Sequence, residues 1–91
     1  MAIRVEFFGT VRSRTGVAET ALVPVSGKMR LGEALAILAA RFPQLSGHCL
    51  QGNRIADGYA ACIDGKLFVD DANYELEDEQ TLLLMSSDAG G

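Results

Sequence analysis

Ninety-one residues, 48% hydrophobic and 22% charged, make one globular domain with a modest core and exclude a disordered chain. The net charge is −4, and no apolar run approaches the roughly 20 residues of a membrane span, which argues against nucleic-acid and membrane partners. The opening Met1-Ala2-Ile3-Arg4 lacks the basic-then-apolar pattern of a signal peptide, so the cytoplasm is the expected location.

Ile3 to Phe8 carries apolar residues at 3, 5 and 7 with Arg4 and Glu6 between, the period of a half-buried strand. Gly9 to Gly16, with Thr, Ser, two Arg and two Gly, reads as a loop. Ala18 to Val25 follows as a second strand, with Ala21, Val23 and Val25 on one face and Pro24 marking its exit. Together they suggest an opening hairpin. After Ser26-Gly27-Lys28, the residues Leu31, Ala34, Leu35, Leu38, Ala39 and Phe42 fall on one face of an amphipathic helix. Pro43 stops it. Its start carries no Ser, Thr, Asp or Asn cap, and Gly32 sits in the first turn.

Gln44 to Gly58 shows no sustained period and reads as a long connection with at most one short helical turn. Tyr59 to Ile63 is a strand closed by the hairpin dipeptide Asp64-Gly65, and Lys66 to Val69 returns from it. Asp70 to Glu79 is acidic and turn-rich, with Tyr74 and Leu76 as inward anchors. Thr81 to Met85 is a continuous apolar run that suits a central strand covered on both faces. One helix with this strand order predicts an α+β fold, a mixed sheet of four to five strands rolled on one main helix. With the last strand central, the arrangement is a β-grasp. The whole of 1–91 is then one domain, with residues 86–91 as a flexible Gly-Gly tail.

Charge divides along the chain. Residues 1–66 hold all eight basic groups and five acids, net +3. The remainder holds Asp70, Asp71, Glu75, Glu77, Asp78, Glu79 and Asp88 without Lys or Arg, net −7. Such an acidic pole suits a basic partner surface.

Catalytic chemistry finds little support. His48 adjoins Cys49, but neighbours on an extended chain point apart, which makes a dyad awkward. Cys49 and Cys62 match neither a CxxC nor a disulfide framework and read as small buried hydrophobes. Three Cys and His residues are too few for structural zinc, and no phosphate-binding glycine loop occurs. The carboxylates at Asp70-Asp71 and Glu77-Asp78-Glu79 lack the register of a calcium loop.

The final residues, Ser86-Ser87-Asp88-Ala89-Gly90-Gly91, follow directly on the apolar strand. Extended at about 3.3–3.6 Å per residue, they could reach roughly 20 Å from the body. Two residues without Cβ make a narrow tip. The α-carboxylate of Gly91 is therefore the candidate functional group. Acyl chemistry there requires activation by a separate ATP-using enzyme, and the chain itself needs no cofactor.

The sequence resembles the ubiquitin-like sulfur carriers of the MoaD/ThiS group over nearly its whole length. The resemblance rests on Ile3-Arg4-Val5-Glu6-Phe7-Phe8-Gly9 with Val11-Arg12 and Gly16, on Gly32-Glu33-Ala34-Leu35, on Ala61-Cys62-Ile63-Asp64-Gly65, and on Gly90-Gly91. It implies a β-grasp fold and no catalytic side chain of the chain's own. It implies adenylation at Gly91 by an enzyme resembling ubiquitin activators, then a thiocarboxylate that delivers sulfur. Ser87, Asp88, Ala89 and Gly90 would occupy the partner's channel. Phe7, Leu82 and Leu84 on the sheet, with Asp70, Asp71 and Glu77, would dock on partners.

The stretch through Val11-Arg12 and Gly16 is more similar to the small subunit of molybdopterin synthase than to the thiazole-pathway carrier. That implies the large synthase subunit as sulfur acceptor. The tail departs from the pattern, with Leu84-Met85-Ser86-Ser87-Asp88-Ala89 where the small subunit has a Phe-Pro-Pro-Val-like segment. Acceptors in thiamin, cysteine or siderophore synthesis or tRNA thiolation therefore stay open. So do a protein modifier conjugated through Gly91 and a plain interaction domain.

Overall fold

The computed structural model of the chain describes residues 2–87. Strand β1 (Ile3–Phe7) is followed by helix α1 (Gly9–Thr15), then β2 (Glu19–Leu22), β3 (Lys28–Arg30) and helix α2 (Leu31–Arg41). A 3-10 turn (Pro43–Leu45) leads to β4 (Leu50–Gln51), β5 (Arg54–Ile55), β6 (Tyr59–Ile63), β7 (Leu67–Val69), β8 (Glu75–Glu77) and β9 (Thr81–Ser86). Five strands form one sheet in the order β2-β1-β9-β6-β7. β1 and β9 run parallel and the other pairs antiparallel, so the sheet is mixed. This is the β-grasp α+β arrangement expected, with the last strand at the centre.

Alternation along β1 and β9 sends Ile3, Val5, Phe7, Leu82 and Leu84 to the face covered by α2, where each is at most 3% exposed. Leu31, Ala34, Leu35 and Leu38 of α2 meet them at helical spacing, and Phe7 packs edge-to-face on Phe42 with centroids 5.4 Å apart. The start of α2 is capped without a capping side chain at its own end. Glu33 reaches back to accept the Arg30 N–H at 3.0 Å, the half of a capping box that the N3 residue supplies. The Leu31 and Gly32 N–H groups donate to the carbonyls of Tyr74 and Ala72. That approach explains Gly32, where a Cβ would stand 3.1 Å from the Ala72 Cβ and 3.2 Å from its carbonyl oxygen.

Three expectations are corrected. Gly9 to Gly16 is a helix rather than a loop, ended by Gly16 in the left-handed conformation with its N–H on the Arg12 carbonyl. Ala21, Val23 and Val25 do not share a buried face. β2 ends opposite Ile3, where β1 begins, so Val23 and Val25 have left the sheet and are 73% and 103% exposed, while Leu22 takes the core position. β9 is covered on one face only. Thr81, Leu83 and Met85, pointing away from α2, are half-buried.

The Asp64-Gly65 hairpin forms as expected, both residues at positive φ. The long connection after α2 contains the 3-10 turn and the small β4–β5 hairpin, and it buries Leu45, Cys49, Leu50 and Ala56.

Candidate functional site

The end of β9 defines the site. Its pairing with β6 runs from Leu82 opposite Ile63 to Ser86 opposite Tyr59. Beyond the last pair the Ser87 N–H donates to the Gly58 carbonyl at 2.9 Å, and the Ser86 hydroxyl meets the same oxygen at 3.4 Å. On the other side, β1 pairs as far as Phe7 opposite Leu84, and the Phe8 N–H donates to the Leu84 carbonyl. The chain therefore leaves the sheet at its centre, between the β1–α1 corner and the turn that opens β6. Asp88, Ala89, Gly90 and Gly91 lie outside the described residues, and with them the expected acyl site and most of the expected channel segment. Ser86 belongs to β9 and Ser87 is exposed but tied to Gly58, so the sheet holds the first two residues of the expected 86–91 tail.

Beneath this exit, Val11, Cys49, Leu50, Ile55, Tyr59 and Met85 line a narrow apolar niche. Burial pushes the Cys49 thiol above the ordinary thiol value, against the smaller opposing effects of its hydrogen bond with Tyr59 and the charge of Arg14. A raised, buried thiol is a poor nucleophile. His48, its neighbour, is exposed. Among the described residues, no group of three or more His, Cys, Asp and Glu is placed to hold a metal ion.

The expected docking residues separate into three environments. Phe7, Leu82 and Leu84 are 1%, 0% and 3% exposed beneath α2, so they hold the core and cannot meet a partner. Alternation along the neighbouring strands does put the three on one face, but it is the face that α2 covers.

The open face carries Leu83 and Met85, paired across the sheet with Cys62 and Ala60, and beyond Cys62 with Phe68. Phe68 is 67% exposed. Asp70 stands beside this band, in a shallow groove of about 300 Å³ with Ile55, Tyr59, Ala60 and Phe68. Asp71 is exposed, but its carboxylate accepts the Asn73 N–H at 2.8 Å and shapes the turn that serves α2.

Glu77 sits elsewhere, on β8 opposite Lys28, in the segment that enters β9. The length of β9 separates it from the exit, roughly 17 Å at strand rise. The acidic run is thus not a single pole around the tail. Sequence reasoning missed Phe68 with the half-buried Leu83 and Met85 as the apolar set of the open face, and Gly58 as the residue that receives Ser86 and Ser87. The Asp57-Gly58 dipeptide before β6 was the available signal for that turn.

No family model and no curated protein matches the chain by sequence. Among solved structures it is similar to SAMP1 from Haloferax volcanii, with a TM-score of 0.79, 18% identity and full coverage of both chains. It is similar to Urm1 from Trypanosoma brucei, with a TM-score of 0.71, 20% identity, and coverage of 99% of this chain and 95% of that one. A Pyrococcus furiosus protein provisionally assigned as molybdopterin converting factor subunit 1 gives a TM-score of 0.72 at 17% identity, over 94% of this chain and 97% of that one. At these identities the likeness establishes a shared fold, the ubiquitin-like β-grasp, over essentially the whole chain.

Proposed function

We propose that the protein is a ubiquitin-like sulfur carrier of the MoaD/ThiS type, with the α-carboxylate of Gly91 as its working group in a form that ends there. The observation that carries this reading is the position of Gly90 and Gly91 in the sequence, four and five residues after the last residue of a strand that ends at the middle of the sheet. A carboxylate is a poor electrophile. A ubiquitin-activator-like enzyme transfers AMP from ATP to it, releasing pyrophosphate, and sulfide-level sulfur then displaces AMP to give the thiocarboxylate. This chain contributes reach, a narrow tip and a docking surface, and the ATP belongs to the partner.

The open sheet face serves as that surface. Leu83 and Met85 lead directly into Ser86, so an enzyme seated on Phe68, Leu83, Met85 and Ala60 receives the chain end without reorienting. The sequence resemblance to the small subunit favours the large subunit of molybdopterin synthase as sulfur acceptor.

A second reading, a protein modifier joined through Gly91 to lysines of other proteins, has its own support in the likeness to small archaeal modifier proteins. Both readings begin with the same adenylate. ATP–pyrophosphate exchange with the host's activator-like enzyme tests that shared step, with exchange in the wild type and none after deletion of Gly91. Exchange that persists without Gly91 removes the terminal carboxylate from the reaction. Conjugates of higher mass in lysate, lost with Gly91, separate the modifier from the carrier.

A further inference from the structure

The turn before β6 has a geometry that the docking role does not require. The Tyr59 N–H donates to the Ala56 carbonyl at 3.2 Å, closing a turn with Asp57 and Gly58 at its centre. Gly58 has φ +88°, a conformation that glycine adopts freely and other residues resist. A Cβ there would find nothing within 4 Å, so the glycine answers to backbone conformation and not to crowding.

The turn is held from below. The Ala56 N–H donates to the Cys49 carbonyl at 3.0 Å, and Ala56, Cys49 and Leu50 are buried. Fixed in this way, the Gly58 carbonyl receives both the Ser87 N–H and the Ser86 hydroxyl.

We propose that the Asp57-Gly58 turn is a clamp that sets the reach of the acyl-carrying end, with Gly58 as its positioning residue. This inference rests on the carrier reading. With Ser87 held, four residues remain to Gly91, and at 3.3–3.6 Å each they span at most about 14 Å. The adenylating centre must then come within that distance of the clamp, so the turn selects partners by the depth of their channel. Opening the clamp frees Ser87, while Ser86 stays in β9 opposite Tyr59, and lengthens the tether by about 3.5 Å, what removal of one tail residue takes away. The tether is long enough when closed, and opening it spreads the tip over more volume and lowers its effective concentration at the partner's site.

Two variants open the clamp by different routes. Gly58→Ala strains the turn, and Ser87→Pro removes the donor. Amide hydrogen exchange of the isolated protein is measured first. The wild-type Ser87 amide exchanges at least ten-fold more slowly than an unstructured amide. Gly58→Ala brings it to the unstructured rate while Leu82 to Leu84 stay protected. A wild-type Ser87 amide that exchanges at the unstructured rate overturns the clamp.

Adenylation by the host enzyme then reads its role. Deleting Ala89 lowers kcat/KM ten-fold or more, and either opening variant restores most of that loss in the shortened chain while slowing the full-length one. A shortened chain that is equally slow with and without the opening variants overturns the role in reach. A wild type that is never adenylated contradicts the carrier reading and the role in reach together, and the exchange data still decide whether the clamp exists.

Discussion

Gly32 and Cys49 show how single residues carry the fold, one by a close approach and one by burial. At Gly32 the first turn of α2 presses on the 72–74 turn, with the Ala72 carbonyl and the Asn53 side chain both 3.2 Å from a Cβ position. Gly32→Val drives a branched side chain into that contact and costs about 2 kcal/mol, on the scale of overpacked cores. A lowered urea midpoint with an unchanged slope is the expected result, and an unchanged midpoint contradicts it. Cys49 gives a pH signature. Its thiol holds its proton more tightly folded than unfolded, so its contribution is complete below the ordinary thiol range. The contribution is lost as pH rises through the raised folded value. Urea midpoints measured from about pH 7 to about pH 10 should fall on the alkaline side, and less steeply in Cys49→Ala.

Among the elements, β1 and α2 are legible because their apolar residues repeat at 2 or 3.6 positions and β9 because its apolar run is continuous, whereas β3, β4, β5 and β8, of two or three residues each, are too short to show a period. The period says which residues share a face, and no more than that. Phe7, Leu82 and Leu84, expected to dock on partners, do share one face, but it is the face that meets α2, and which face that is depends on packing that one chain segment does not encode. α1 escaped notice because a seven-residue helix with Val11 as its one buried residue has no period to detect, though Arg12, Arg14 and Gly16 form a C-terminal signature. The two faces now differ in a measurable way. Phe7→Ala removes a fully buried ring that meets Phe42 and costs about 3–5 kcal/mol in urea unfolding. Phe68→Ser, on the open face, changes stability by less than about 0.5 kcal/mol. It raises KM for adenylation, and an unaltered KM places docking elsewhere.

At the scale of the molecule, a single-layer sheet packed on α2, with Val11 of α1 joining the core, leaves its other face half-buried and brings the final strand to the centre. Both features follow from the strand order, and together they put an apolar surface and a chain exit side by side. The acidic residues do not gather there as their crowding in sequence suggested. Asp70 lies by the open face, Asp71 serves a turn, and Glu77 faces Lys28 at the far end of β9. Their spacing along the chain could not reveal this, since β9 itself carries the chain away from Glu77 before it leaves the sheet. In the proposed carrier role, this architecture delivers the Gly91 carboxylate. The most direct test of that role is the intact mass of the protein after incubation with ATP, sulfide and the host's activator-like enzyme. The wild type is expected to gain the mass of one oxygen-to-sulfur exchange, and the chain lacking Gly91 to gain none. An unchanged wild-type mass, with the same enzyme active on another carrier, contradicts that role.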